Sequence, residues 1–114
     1  MNDVEPRYWL WVAEAHRCLD RTGRDLPSVA PGRQVRGRHW WACDRTTRAG
    51  DRAVLCVDHE GSTVTYLIEI TSDAREPRPW ELAGAMTLFV CDYVVRDRYV
   101  DMPIASLAAS VDRY

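Results

Sequence analysis

Tryptophan is the residue type whose placement in this chain most clearly suggests a ligand. Four of the five tryptophans lie in two short segments, Tyr8-Trp9-Leu10-Trp11 and Trp40-Trp41. A tryptophan is large and usually needs a partner for its N–H group when it is buried, so a domain of this size seldom uses so many for packing alone. We therefore predict a site for a flat aromatic ligand. Core packing is the alternative explanation for each tryptophan taken singly, and we expect it for Trp9.

Arginine is the second residue type that suggests a ligand. All fifteen lysine-or-arginine positions are arginine, and residues 15–50 carry a net charge of +5, which leaves −7 for the rest of the chain. Guanidinium groups bind phosphate oxygens in a fork geometry, and a basic stripe beside aromatic residues is typical of nucleic-acid binding. A solvent-exposed basic loop is the alternative. The lack of lysine excludes Schiff-base catalysis, a P-loop and a lysine general base.

Patterns for catalysis or metal binding are missing from the sequence. The cysteines Cys18, Cys43, Cys56 and Cys91 occur singly, without a C-x-x-C pair, so we predict reduced, mostly buried thiols. His39 and Cys43 lack the second pair of ligands that a zinc site needs. There is no H-E-x-x-H, G-x-S-x-G or phosphate-binding glycine loop. We expect no catalytic residue, no metal and no cofactor.

Alternating apolar residues predict a small, partly closed β-barrel with peripheral helical turns. The predicted strands are Tyr8–Ala13, Arg38–Cys43, Arg52–Val57, Ser62–Ile70 and a long strand within Leu82–Val95. Asp58 to Gly61 is predicted to be a hairpin connection, Thr22 to Gly37 a long basic loop, and Pro103 the start of a short helix. Asp51 is expected to fix the turn that precedes the third strand.

Length and hydropathy predict one domain outside the membrane. A chain of 114 residues is long enough for a single core, and no apolar run approaches the length of a membrane span. The acidic, polar start Asn2-Asp3-Val4-Glu5 does not resemble a signal peptide. We expect a cytoplasmic protein, and we interpret residues 1–114 as one module of a longer chain.

Several segments share an order with a known family. They are Tyr8-Trp9-Leu10-Trp11-Val12, Trp40-Trp41-x-Cys43, Arg45-x-Thr47-Arg48-x-Gly50-Asp51, Tyr66-Leu67-Ile68 followed by Ser72-Asp73, and Pro103-Ile104. This series resembles the EVE domain family, a branch of the PUA-like barrels related to the YTH readers of modified RNA. The resemblance implies a mixed α/β fold, with a PUA-like β-barrel of five to six strands and short peripheral helices. The loop from Thr22 to Gly37 departs from the family pattern.

The resemblance also implies a function, the recognition of a modified nucleobase by an aromatic cage. The implied ligand is a flipped 5-methylcytosine or 5-hydroxymethylcytosine in prokaryotic DNA, and an RNA base is the alternative. Trp41, which precedes Arg45 by four positions as in the family, is the first wall. Trp11 is the second wall, because we expect the first strand to neighbour the strand that carries Trp41. The other implied pocket residues are Val12, Ala13, Asp44, Ser72 and Asp73, and the implied phosphate-binding residues are Arg33, Arg36, Arg38, Arg45 and Arg48.

Members of such families are often fused to nucleases or helicases of prokaryotic defence systems, so we expect any cleavage chemistry to lie outside this chain. Two other classes of function stay open. A protein-interaction module is favoured if the tryptophans are exposed on a flat surface instead of lining a concave pocket. A hydrolase resembling the related ASCH barrels is disfavoured, because that chemistry relies on a lysine and this sequence has none.

Overall fold

Six β-strands and three short 3₁₀ helices make up the described part of the chain. The structure is a computed structural model that describes residues 6–32, 40–81, 89–108 and 110–114. The strands are β1 (Tyr8–Ala13), β2 (Trp40–Ala42), β3 (Arg52–His59), β4 (Ser62–Ile70), β5 (Val90–Val100) and β6 (Asp112–Arg113), and the 3₁₀ helices are Ala15–Arg17, Pro79–Glu81 and Ile104–Ser106. None of the helices in these ranges has the length and apolar character that crossing a membrane requires.

The strands form one curled sheet, shaped like half of a barrel, in the order β2-β5-β4-β3-β1-β6. The hairpin β3–β4 and the pairs β4–β5 and β2–β5 are antiparallel, whereas β1 runs parallel to both β3 and β6. The fold is therefore a small, mostly β domain with few helical residues. This confirms the coarse prediction of a curved sheet with peripheral helical turns.

The strand bounds agree with the sequence prediction for β1 and β4 and differ elsewhere. β3 runs two residues past Val57, so that Glu60 and Gly61 alone form the turn, with φ of 50° and 82°. Positive φ at both central residues is the geometry that joins twisted strands with two residues. Pro103 precedes only a single 3₁₀ turn. Residues 33–39 and 82–88, which include the predicted starts of two strands, lie outside the described residues.

The last long strand, β5, ends at Val100 and not at Val95 as predicted. Its polar second half was missed because it does not alternate like the first half. A β-bulge interrupts the alternation, because Ile68 pairs with Val95 while Leu67 pairs with Asp97, which leaves one extra residue in β5. The extra residue places Arg98 opposite Tyr66, and both side chains bond Asp25, at 2.9 Å from Arg98 Nε and 2.6 Å from the Tyr66 hydroxyl.

The core lies on the concave face of the sheet. Alternate residues of four strands fill it, among them Trp9, Trp11, Leu55, Tyr66, Ile68 and Tyr93. Residues 18–32 cover the open side, where Cys18, Leu19 and Val29 are buried. The Gly32 amide donates to Val95 O at 3.0 Å. Within the described part of the long loop predicted from Thr22, Val29 therefore belongs to the core.

The prediction that β1 neighbours the strand carrying Trp41 is wrong. β2 pairs only with β5 among the described strands, and β5, β4 and β3 separate it from β1. The first strand instead pairs with β3, Trp11 lying opposite Leu55. The curl of the sheet then brings β1 and β2 towards each other without hydrogen bonds between them. Contact between Trp11 and Trp41 therefore depends on curvature and not on strand pairing.

Asp51 fixes the position of β1 against β3 and against the turn before it, as the sequence predicted for the turn. One carboxylate oxygen accepts from the Arg7 amide at 3.2 Å, and the other accepts from Trp9 Nε1 and from the Arg48 amide, each at 3.1 Å. Asp51 is only 6% exposed. Buried donors are costly when unpaired, so this carboxylate satisfies three groups that burial would otherwise penalise.

We predict that Asp51→Asn lowers the free energy of unfolding by about 1–3 kcal/mol, because the amide nitrogen of asparagine cannot accept from the donors that face it. Urea unfolding followed by circular dichroism measures the change. Asp97→Asn, at an exposed position on β5, is the matched control and should alter stability by less than about 0.5 kcal/mol. Equal stability of Asp51→Asn and wild type would contradict the anchoring role of Asp51.

Candidate aromatic binding pocket

Three aromatic rings from three strands meet at the gap between β1 and β2. The rings of Trp11 and Trp41 are stacked, with centroids 5.9 Å apart and planes 12° apart. Tyr93 stands edge-on to both rings at 6.3 Å. Its hydroxyl donates to Ser28 O at 2.8 Å, which fixes the ring from the far side. Trp11 is buried whereas Trp41 is half-buried, so the cluster presents part of one tryptophan ring to solvent.

A cavity of about 210 Å³ lies beside this cluster. Its lining residues are Trp11, Val12, Arg17, Trp41, Ala42 and Tyr114. Pockets for drug-sized ligands usually measure about 300–1,000 Å³. The volume here suits a smaller, flat group such as a single ring system.

Arg17 brings positive charge to this pocket. Its guanidinium carbon lies 4.9 Å from the centroid of the Trp41 ring. The residue ends the 3₁₀ helix Ala15–Arg17 and its side chain is exposed. A cation over an exposed aromatic ring is worth about 0.5–1 kcal/mol, a contact weak enough for a ligand to displace.

The spacing of the two tryptophans limits how a ring could bind. A ring held between two parallel rings needs two stacking distances of roughly 3.5 Å each, which gives a separation of about 7 Å. The centroids of Trp11 and Trp41 are 5.9 Å apart, so the pair has no room for a third ring between its members. The accessible stacking surface is therefore the part of Trp41 that Trp11 does not cover.

Trp11 also carries an unpaired donor. Its indole Nε1 is buried and has no hydrogen-bond partner within the part of the chain that the structure describes. Leaving such a donor unpaired costs about 1–3 kcal/mol. By contrast, the indole of Trp9 donates to Asp51. The aromatic cluster therefore contains a buried hydrogen-bond donor that no group among the described residues satisfies.

The structure brings together only part of the predicted site. Trp11, Val12 and Trp41 line the same pocket, whereas Ala13 is buried against the core. Val12 is 75% exposed at the rim. Arg33, Arg36 and Arg38 lie outside the described residues, so the structure does not place them.

Asp44, Ser72 and Asp73 do not line the pocket. The Asp44 carboxylate accepts from the amide and hydroxyl of Thr46 at 2.8 and 2.6 Å, and the hydroxyl bond holds the pKa of Asp44 below its ordinary value. Asp73 accepts from the Ala49 amide at 2.9 Å. The Ser72 hydroxyl accepts from the Asp92 amide at 2.8 Å. All three groups are therefore already hydrogen-bonded within the protein, Asp44 inside its own turn and the other two to backbone amides of distant segments.

Arg45 and Arg48 belong to this same turn region. Both are exposed, and Arg48 lies 3.8 Å from the Asp73 carboxylate. The turn adjoins the Tyr8 end of β1, where Asp51 contacts Trp9, whereas the pocket lies further along β1 at Trp11 and Val12. The predicted site residues therefore form two groups separated along β1.

The segment that carries Ser72 and Asp73 is held by a partly buried group of ion pairs. Arg75 donates to both carboxylate oxygens of Glu81, at 2.7 and 2.9 Å, and to Asp92 at 2.8 Å. Glu81 is 2% exposed and also accepts from the Arg78 amide. The hydrogen bonds from Arg75 lower the pKa of Glu81 and raise that of Arg75. Residues 71–81 are thereby fixed against β5.

Sequence reasoning missed Arg17, Tyr93 and Tyr114 as neighbours of the pocket. The period-2 pattern of β5 places Tyr93 on the same face as Cys91, so the alternation of this strand could have predicted that Tyr93 faces the core. Nothing in the sequence indicated Arg17, since its place above Trp41 depends on the 3₁₀ turn after β1. Tyr114 reaches the pocket because β6 pairs with β1.

A second cavity, of about 460 Å³, lies on the outer face of β3 and β4. Its lining residues are Cys56, Thr63, Thr65, Asp101, Met102, Pro103 and Ile104. No aromatic ring or basic side chain is among them, so it lacks the groups that bind a base or a phosphate. No group of three or more metal-ligating side chains occurs within the described ranges.

Comparison with protein-family models, with characterised proteins and with solved structures finds no match to this chain in any of the three.

We predict that Glu81→Gln destabilises the protein by about 1–3 kcal/mol near neutral pH, because it removes the charge that pairs with Arg75. The folded-state pKa of Glu81 lies below its ordinary value of 4.5, so its stabilisation is complete above pH 4.5 and is lost as the pH falls through the folded pKa. The stability difference from wild type should therefore shrink below pH 4.5. Urea unfolding between pH 3 and 7 measures it.

Glu76→Gln is the matched control for this experiment, because Glu76 is an exposed carboxylate in the same segment. It should leave stability nearly unchanged at every pH. A stability difference for Glu81→Gln that stays constant down to pH 3 would contradict the ionised Glu81–Arg75 pair.

Proposed function

We propose that this domain binds nucleic acid without catalysis and accepts one unpaired, flipped-out base in the pocket beside Trp41. The favoured ligand is a methylated or hydroxymethylated cytosine in DNA. We further propose that the sheet is a PUA-like barrel of the EVE type. The observation that carries the proposal is the half-exposed Trp41 ring, supported by Trp11 and accompanied by the Arg17 guanidinium.

Base flipping explains why a ring and a cation belong together in this pocket. An extruded base has two π-faces, and stacking one of them on an aromatic side chain is worth roughly 1–3 kcal/mol. Extrusion costs a few kcal/mol, so one stack alone is insufficient. Arg17 supplies a second contribution, either by stacking on the other face of the base or by pairing with a neighbouring phosphate.

The proposal gives the two tryptophans different roles. Because their rings are too close to hold a base between them, the base stacks on Trp41 alone. Trp11 is a positioning residue that supports Trp41 from the core side. This arrangement replaces the cage with two equivalent walls that the sequence resemblance implied.

Discrimination of a modified base should be modest. The pocket rim includes the apolar side chains of Val12 and Ala42, and burying one methyl group against such surface is worth about 0.8 kcal/mol. That free energy corresponds to roughly a fourfold preference for 5-methylcytosine over cytosine. A larger preference would require a polar group that reads the base edge.

We predict that Trp41→Ala weakens binding of a methylated DNA duplex by roughly 5- to 150-fold, because it removes the stacking surface. Competition binding with duplexes that differ only in one methyl or hydroxymethyl group measures both the affinity and the preference. Trp80→Ala is the matched control, since Trp80 is 69% exposed and does not line the pocket.

Full retention of the preference by folded Trp41→Ala would contradict the assigned pocket, and equal wild-type affinity for modified and plain duplexes would contradict modified-base reading. The same sequence as RNA is the second arm of the experiment. Tighter binding of the RNA would replace DNA with RNA as the proposed ligand, whereas binding of neither nucleic acid would favour a protein partner.

We predict that Arg17→Ala lowers the dependence of log affinity on log salt concentration by about 1, provided that this guanidinium neutralises a phosphate. The variants Arg45→Ala and Arg48→Ala test the turn arginines in the same way. Fluorescence anisotropy at several salt concentrations gives the slope. Unchanged affinity after neutralising Arg17, Arg45, Arg48 and the loop arginines Arg33, Arg36 and Arg38 together would contradict nucleic-acid binding.

A further inference from the structure

The aromatic pocket lies between the two ends of the curled sheet. Among the described strands, β2 is the first in the sheet order and β6 is the last, so these two strands form its edges. Trp41 and Ala42 reach the pocket from β2, whereas Tyr114 directly follows β6. An aromatic ring therefore lines the pocket from each edge of the sheet.

The strand register places Tyr114 on the pocket side of its edge. β6 runs parallel to β1, and Arg113 lies opposite Leu10. Continued by one residue, this register brings Tyr114 level with Trp11. Side chains along a strand alternate between the two faces, so Tyr114 shares the face of Trp11. The lining of the pocket by both side chains agrees with this placement.

The ring of Tyr114 is available to a ligand. It is 53% exposed, whereas the rings of Tyr66 and Tyr93 are buried and their hydroxyls donate to Asp25 and to Ser28 O. Core packing therefore explains the positions of those two rings but does not explain the position of Tyr114.

Exposed apolar side chains are grouped around this pocket. Within the described residues, the large exposed apolar side chains are Val12, Trp80, Val100 and Tyr114, and two of them, Val12 and Tyr114, line the pocket. The half-buried ring of Trp41 borders the same space. Exposed apolar surface gathered at a concave site is typical of a ligand-binding groove.

We propose that Tyr114 is the second stacking wall of this pocket, so that a bound base lies with one face on Trp41 and the other on Tyr114. This inference rests on the proposed function and extends it, because the spacing of the two tryptophans leaves no room for a base between them. A base held on both faces gains two stacking contacts, and the second contact offsets an extrusion cost that one stack does not cover.

The second wall also gives Arg17 a single role. A base that stacks on Trp41 displaces the Arg17 guanidinium, which lies over that ring in the free protein. With Tyr114 on the other face of the base, the displaced cation pairs with a phosphate beside the flipped nucleotide. Stacking and charge neutralisation then come from different side chains, and only the second depends on salt through counterion release.

Competition binding of the methylated duplex tests the second wall. Tyr114→Ala should weaken binding by roughly 5- to 150-fold, and Tyr114→Phe, which keeps the ring, should bind within about twofold of wild type. The loss in Tyr114→Ala should be equal at every salt concentration, because a neutral ring releases no counterions. Tyr99→Ala is the matched control, since Tyr99 is a half-buried tyrosine of β5 that does not line the pocket.

Free 5-methylcytidine provides a second arm, because a nucleoside needs only the pocket and not the rest of a duplex. The indole signal of Trp41 and the ring signals of Tyr114 are followed by NMR and assigned from the Trp41→Phe and Tyr114→Phe variants. We expect both sets of signals to shift together as the nucleoside is added.

The two arms separate failure of the second wall from failure of the proposed function. If wild type binds the duplex, unchanged affinity of Tyr114→Ala, or an equal loss in Tyr114→Phe, would overturn the stacking role of Tyr114 and leave the proposed function in place. If wild type does not bind the duplex, the proposed function fails and the nucleoside decides. Shifts at both rings would then support the two-walled pocket, whereas a shift at Trp41 alone or at neither ring would overturn it.

Discussion

The carboxylate of Asp51 is the contact on which the arrangement of the other elements depends. It holds the Arg7 amide, the Trp9 indole and the Arg48 amide at one point between β1 and β3. A parallel strand pair has no hairpin to set its register, so some other interaction must align the two strands. Once Trp9 is fixed opposite Ala53, period-2 alternation directs Trp11 into the core. A slip of one residue would turn both tryptophans to the outer face.

Local patterns in the sequence predicted β1 and β4 correctly, because β1 is a short apolar run and apolar residues alternate along β4. They did not predict the order of the strands, since alternation carries no information about which strands pair. The polar half of β5 was not predicted, for a related reason. Its bulge at the Leu67–Ile68 step breaks the alternation, and Arg98 then faces Tyr66 through a bond network with Asp25 that only the tertiary structure creates.

The sequence predicted the large aromatic residues of the candidate site but not the part played by its small polar residues. Trp11 and Trp41 were chosen by residue type, and the structure stacks them, although through the curl of the sheet. Ser72 and Asp73 were chosen as hydrogen-bonding groups for a base, yet they already accept from the backbone amides of Asp92 and Ala49. Both amides belong to segments at least 20 residues away in sequence, so only the tertiary structure shows that these side chains are occupied.

The position of Trp41 depends unusually little on the sheet. β2 has three residues and one described partner strand, so hydrogen bonding alone would leave it free to twist or slide at the sheet edge. Side-chain packing supplies the missing constraint, because Trp11 and Tyr93 contact the Trp41 ring from two other strands. Packing of the rings therefore sets the position of this short strand, and a change in that packing would be transmitted to the ring that borders the pocket.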